Sequence, residues 1–240
     1  MTVDRLRVLV VDIGGTSVKL LASGRFKPVR IPSGPALTPA TMIPAVLEAT
    51  AGWRYDVVSI GYPGPVVGGC IAVEPVNIAP GWVGYDFAAA FDRPVRVLND
   101  AAMQALGGYR GGRMLFLGLG TGLGSALVVE GHVQPMELGH LPYRKGKTFE
   151  ELVGGEVRKR IGTPRWREYV FDVIRRLRDA LQVESLLVGG GNARRLRAWM
   201  HKLPPGTRLG TNVDAFRGGM CLWQTPEAVA TGASHRGHRD

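Results

Sequence analysis

Asp100 follows the apolar run Val95–Leu98, with Asn99 between them. A carboxylate at the end of a rigid hydrophobic element, open to solvent, suits a general base, which must reach the proton it removes. The position equally suits a helix N-cap for the run Ala101–Leu106, and one residue can serve both purposes. The stretch Val8–Leu21, VLVVDIGGTSVKLL, offers different chemistry. Two short apolar runs flank Gly14, Gly15 and Thr16, with Asp12 just before the turn and Lys19 just after it. Glycine accepts backbone angles that let several N–H groups converge on a phosphate oxygen. An ordinary hairpin with a solvated Asp12 is the plainer alternative.

A second copy of this design weakens that alternative. Residues 115–131, LFLGLGTGLGSALVVEG, again set an apolar run, a turn (Gly120, Thr121, Gly122) and an apolar run in sequence. The G-x-G-x-x-G dinucleotide spacing is absent, and a strand, not a helix, follows. Two glycine-threonine hairpins about one hundred residues apart suggest two related lobes, each offering a phosphate-binding turn to a shared cleft. Gly189, Gly190 and Gly191 close a third strand, Ser185–Val188, and open a short basic helix, an arrangement that presents backbone to an anion. In MELGHLPY, Glu137 and His140 flank Gly139 and could grip neighbouring hydroxyls of a small polar ligand, although such a pair can also be structural. Asn77 is the polar residue of Cys70–Trp82 least needed for packing.

These groups must be carried by an alternation of strands and helices. Strands are expected at Phe26–Ile31 and Val57–Gly61, helices over Ala40–Ala51 and Asp86–Phe91, and a glycine- and proline-rich loop at residues 61–69. Beyond Glu150 the pattern turns helical: Glu150–Ile161, then Arg165–Leu181, where Tyr169, Val173, Leu177 and Leu181 predict the inward face. An amphipathic piece at Val213–Trp223 precedes a small, polar tail.

The chain has 240 residues, 45% of them apolar, enough for two lobes with cores of their own. No apolar run is long enough to span a membrane and charges interrupt the N-terminus, so no membrane partner and a cytoplasmic location are expected. Cys70 and Cys221 are isolated thiols without metal-type spacing. The formal charge of +10 favours anionic ligands. Eleven Lys/Arg against five Asp/Glu in Arg144–Arg178, together with Arg194, Arg195 and Arg197, concentrate it. No nucleic-acid recognition motif accompanies the charge, so a nucleotide or polyphosphate is expected in preference to nucleic acid.

Taken in order, DIGGTSVK (12–19), GYPGPV (61–66), Asn77, LND (98–100), GLGTGLG (118–124), ELGH (137–140) and GGGNA (189–193) resemble the ROK family of bacterial sugar kinases, and within it the polyphosphate glucokinase branch. The resemblance implies an α/β protein of the actin-like ATPase (ribonuclease H-like) fold, with an N-terminal lobe over 1–104, a C-terminal lobe over 105–223 and a flexible tail at 224–240. It implies Asp100 as the base and Asn77, Asn99, Asp100, Glu137, His140 and Glu150 as sugar-binding residues. It assigns the donor phosphates to Asp12, Gly14, Gly15, Thr16, Lys19, Gly120, Thr121, Gly122 and Gly189–Gly191. Asp12 would orient Mg²⁺ through water, and a homodimer is implied.

One departure stands out. Most of the family carries a zinc-binding C-x-C-G-x-x-G-C cluster after the ELGH-type motif, whereas this chain has LPYRKGKTF, so no zinc is expected and His140 needs another group to fix its ring. The expected activity is phosphoryl transfer from polyphosphate or ATP to the 6-hydroxyl of glucose. Two alternatives remain open: an ATP-dependent kinase for another hexose or amino sugar, and a non-catalytic sugar-sensing or polyanion-binding protein.

Overall fold

A computed structural model describes residues 6–211 and 213–224. Contacts divide the chain into two compact units, Met1–Asp100 with Gly219–Asp240, and Ala101–Gly218.

In the first unit, β1 (Val8–Ile13) is buried at all six positions, as an apolar run packed on both faces must be. It runs antiparallel to β2 (Ser17–Ala22), which pairs in turn with β3 (Val29–Pro32). Helix α1 (Pro39–Ala49) crosses over to β4 (Val57–Tyr62), parallel to β1. Thr38 caps α1 reciprocally with Thr41, and Pro39 occupies the first turn, where its missing N–H costs nothing. The proline-rich loop forms a small hairpin of β5 (Val66–Val67) and β6 (Cys70–Ile71). Helix α2 (Phe87–Phe91), capped by Asp86, leads to β7 (Val95–Asn99), parallel to β4. The sheet order is β3-β2-β1-β4-β7.

Helix α3 (Asp100–Gly108) leads into the second unit, which repeats the plan. An antiparallel meander of β8 (Arg113–Leu119), β9 (Leu123–Val129) and β10 (His132–Met136) comes first. Helices α4 (Glu150–Val153), α5 (Gly155–Ile161) and α6 (Thr163–Leu181) follow, then β11 (Ser185–Gly189), parallel to β8. A 3₁₀ helix, Ala193–Lys202, leads to β12 (Thr207–Leu209), parallel to β11. The order β10-β9-β8-β11-β12 matches the first sheet strand for strand, which makes the two glycine turns equivalent positions of one repeated motif.

Several details differ from the sequence expectation. The inward face of α6 is Trp166, Val170, Val173, Ile174 and Leu177, with Tyr169 and Leu181 only partly covered, because a stripe at 3.6 residues per turn drifts away from a strict spacing of four. The helix expected over Glu150–Ile161 breaks at Gly154, whose extended backbone separates α4 from α5. The three-residue strand β12 has no pattern in the sequence long enough to announce it.

Unit boundaries also fall differently from the expected 104/105. Helix α7 (Asp214–Cys221) begins in the second unit, and from Gly219 the chain packs with the first. Gly219 lies flat on Val10, its carbonyl accepts Ser59 Oγ at 2.6 Å, and Trp223 Nε1 donates to Ser59 Oγ at 2.9 Å. The Arg96 guanidinium covers the Trp223 ring and donates to the Leu222 carbonyl. Apart from Gln224, the expected flexible tail at 224–240 lies outside the described residues.

Candidate active site

The two turns are built alike. Between β1 and β2, Gly14 N–H is spent on Ser17 O at 3.2 Å, and between β8 and β9, Gly120 N–H is spent on Gly122 O at 3.1 Å. In each turn the next two N–H groups, those of Gly15 and Thr16 and those of Thr121 and Gly122, donate to no acceptor among the described residues. Adjacent uncommitted N–H groups on a tight turn make an anion nest.

Around the first turn, Asp12 is 4% exposed and forms an ion pair with Lys19, its cross-strand partner, at 2.7 Å. The pair uses Oδ2 of Asp12. Asn77 stands beside this turn: a Cβ on Gly15 would lie 3.7 Å from that of Asn77. The loop carrying Asn77 is tied by a residue that the sequence reading missed. Glu74 accepts the N–H groups of Gly81, Trp82 and Val83, and these bonds, led by that from Trp82, hold its carboxyl below the ordinary range. An acid three residues before Asn77 in a proline-rich loop was the available signal.

Around the second turn every carbonyl has a partner. Gly155 N–H donates to Gly120 O at 3.0 Å and to Thr121 O at 2.9 Å, which is why the helix must break at Gly154. Asn192 clasps the other side, its N–H on Leu119 O at 3.0 Å and its Nδ2 on Gly120 O at 3.2 Å. Gly190, at φ +82°, passes so close to Leu119 that a Cβ would lie 2.6 Å from its carbonyl oxygen. The residues after β11 therefore buttress the turn and stand beside Gly120–Gly122.

Asn99 ends β7, 8% exposed, and its Nδ2 donates to Gly64 O at 3.1 Å. Asp100 is half-buried and is the first residue of α3, so the strand end holds its backbone while the helix begins.

The other expected sugar residues lie in the second unit. Ser125, 1% exposed in β9, donates to Met136 O at 2.6 Å and accepts Leu138 N–H at 3.1 Å, fixing the 3₁₀ turn Leu138–His140. Glu137 and His140 project from that turn, 55% and 66% exposed, with Oε2 and Nδ1 3.8 Å apart. Glu150 faces the second glycine turn: its Oε2 accepts Leu123 N–H at 3.0 Å, and a Cβ on Gly122 would collide with it. A Cβ on Gly139 would meet Glu150 Cβ at 3.4 Å. The structure thus gathers Glu150, the glycine turn and the ELGH motif.

The segment that lacks cysteines folds as a small hairpin, with Tyr143 N–H on Lys147 O at 2.7 Å and Pro142 bridged to Thr148. It is pinned to α6 by Asp172, whose Oδ2 accepts Tyr143 OH at 2.5 Å, Arg176 Nε at 2.8 Å and an Arg144 nitrogen at 3.0 Å. Burial pushes the Asp172 carboxyl up, but the Tyr143 and Arg176 hydrogen bonds and the two arginine charges outweigh it and hold the carboxyl low. Burial and the same bond push the Tyr143 hydroxyl up to about 12. Among the described residues no cluster of three or more His, Cys, Asp or Glu could hold a metal ion, and no helix is long and apolar enough to cross a membrane.

No family model matches the chain. Its sequence is 28% identical over 216 residues to the polyphosphate glucokinase of Mycobacterium tuberculosis, covering 79% of each chain. Over 140 residues, 52% of this chain and 27% of the relative, it is 34% identical to the bifunctional enzyme NanE/NanK of Brucella melitensis. Among solved structures, the inorganic polyphosphate/ATP-glucomannokinase of Arthrobacter sp. strain KM superposes with a TM-score of 0.74 at 25% identity, over 90% of this chain and 98% of that one. The ROK family glucokinase of Streptomyces griseus gives 0.69 at 17% identity, over 90% and 98%. The chain has the ROK sugar-kinase fold. In ROK terms the repeated five-stranded sheet is the actin-like ATPase core, and its sequence is similar to that of the polyphosphate glucokinases.

Proposed function

We propose that this protein is a sugar kinase that transfers a phosphoryl group from polyphosphate or ATP to the 6-hydroxyl of glucose. The observation that carries the reading is the pair of equivalent glycine-threonine turns, each with two uncommitted N–H groups, in a chain similar to polyphosphate glucokinases. Phosphoryl transfer asks a protein mainly for positioning and charge neutralisation, and nests of N–H groups supply both.

Asp100 takes the proton from the attacking hydroxyl. Asn77, Asn99, Glu137, His140 and Glu150 hold the sugar, and Lys19, Gly14–Thr16, Gly120–Gly122 and Gly189–Gly191 serve the donor phosphates. Asp12 fits a hydrated magnesium ion: its Oδ2 is engaged by Lys19, while Oδ1 has no hydrogen-bond partner among the described residues. Bound there, Mg²⁺ would neutralise donor phosphate charge. The resemblance further supports a cytoplasmic homodimer without a nucleic-acid partner.

Mannose is a second acceptor worth testing, since the Arthrobacter neighbour is a glucomannokinase. A panel of hexoses and N-acetylated amino sugars, assayed with polyphosphate and with ATP, tests the proposal. Transfer to glucose supports it, and transfer only to an amino sugar overturns the choice of acceptor.

A further inference from the structure

The basic residues of the second unit do not form one uniform surface. Arg144 and Arg176 are bound to Asp172, Lys147 pairs with Glu151, Lys159 pairs with Glu156, and Arg167 lies over the Trp199 ring. Arg158 and Arg195 are different. Both are half-buried, the Nε of each is fully buried without a hydrogen-bond partner, and neither guanidinium has an ion-pair partner among the described residues. A buried donor left unpaired forfeits its hydration with no return, and native proteins keep few of them. With Nε sealed from solvent, what each of these arginines can offer an acceptor from outside the chain is its terminal nitrogens, which are neither sealed in this way nor paired among the described residues.

Their positions say which acceptor. Arg158 comes three residues after Gly155, whose N–H donates to Gly120 O at 3.0 Å. Arg195 comes three residues after Asn192, whose Nδ2 donates to the same carbonyl at 3.2 Å. Each arginine therefore stands about one helical turn beyond a residue clamped to the second glycine turn, one on α5 and one on the 3₁₀ helix. An anion held by the N–H groups of Thr121 and Gly122 would therefore have two arginine-bearing helices, each clamped to the same carbonyl, within about one helical turn of it. Guanidinium is the group suited to such an anion, since it stays charged and offers several donors in a plane to phosphate oxygens.

We propose that Arg158 and Arg195 form a subsite for the phosphoanhydride chain of the donor, gripping the phosphates that trail the one held at Gly120–Gly122. The inference rests on the kinase reading for the identity of the anion, not for the existence of the site. Polyphosphate and ATP share this chemistry; polyphosphate can in addition extend past the subsite.

The test is calorimetric binding of long-chain polyphosphate, tripolyphosphate and ATP to the full-length protein without sugar. Wild type is compared with Arg158→Gln, Arg195→Gln and the double variant. Arg175→Gln, which removes an exposed charge from α6, controls for the general field. Each single substitution should weaken polyphosphate binding by about tenfold, as expected when a charge-assisted hydrogen bond is lost. The double variant should lose more, and Arg175→Gln should stay within about twofold because exposed charges are screened. Melting temperatures of the single variants should not fall, because neither arginine gives up a protein partner. An equal loss of ATP affinity would place the subsite at phosphates common to both donors; a loss for polyphosphate alone would place it further along the chain.

The subsite is overturned if the single variants bind polyphosphate as wild type does, or if Arg175→Gln loses as much as they do. Absence of polyphosphate binding by wild type would overturn it as well. A protein that binds polyphosphate through these arginines but phosphorylates no sugar would contradict the kinase reading and leave the subsite standing. Glucose phosphorylation with an unchanged polyphosphate KM in the single variants would do the reverse.

Discussion

The Glu150 carboxylate accepts the N–H of Leu123 at 3.0 Å, so the residue expected to hold sugar also fixes the exit of the second glycine turn. Its Cβ is packed against Gly139 of the ELGH motif. One side chain therefore ties the two features together, and its loss should be felt by both substrates. Glu150→Ala should raise KM for donor and for glucose, each by about tenfold, the scale of a lost bond to a charged group. Glu150→Gln keeps an acceptor for Leu123 N–H and should spare the donor KM. A change confined to the glucose KM in both variants would show that the turn does not depend on Glu150.

Asp100, at the junction of β7 and α3, carries the proposed proton transfer. Asp100→Asn preserves size and hydrogen bonding but removes the base, and kcat should fall by about 10² or more. Glucose affinity, measured directly, should persist. Turnover within a few-fold of wild type would show that another group takes the proton.

Glu137 and His140 leave a turn fixed by Ser125 and are well exposed, as ligand-binding side chains can be. Glu137→Ala should weaken glucose binding by about 2–3 kcal/mol, the cost of losing a charged hydrogen-bond partner. Metal analysis of the purified protein should find no stoichiometric zinc. One equivalent of zinc would show that His140 is a metal ligand after all.

What the sequence made legible was local. Gly14–Thr16 and Gly120–Gly122 announce themselves because a tight turn between two apolar strands needs glycine, and Asp100 because a carboxylate at the end of an apolar run is conspicuous. What it concealed depends on pairs far apart in the chain. Ser59 meets Gly219 and Trp223 across 160 and 164 residues, so the return of the C-terminal segment to the first unit leaves no local trace. Arg144 and Arg176 read as members of one basic run until Asp172 is seen between them. Gly154 reads as an ordinary helix glycine until Gly155 N–H is seen on the carbonyls of Gly120 and Thr121.

Asp172 pins the cysteine-free hairpin that joins His140 to Glu150, and Tyr143→Phe removes one of its bonds while keeping the ring. That variant should lose about 1–2 kcal/mol of stability, or a few degrees in melting temperature, with a raised glucose KM and a nearly unchanged kcat. The Asp172 carboxyl is held low in the folded state, so its contribution is present above the ordinary carboxylate range and is lost as pH falls through the lowered value. Asp172→Asn should therefore melt below wild type at neutral pH, with the gap closing on acidification. A gap that stays constant as pH falls would mean that the Asp172 charge does not stabilise the fold.

The most direct test of the central claim is the rate of glucose 6-phosphate formation by the purified protein, with long-chain polyphosphate and with ATP, each at two salt concentrations. The account predicts glucose 6-phosphate, with kcat/KM for polyphosphate at least equal to that for ATP and falling more steeply with salt, as binding along a polyanion does through counterion release. Failure of both donors to phosphorylate glucose would contradict it.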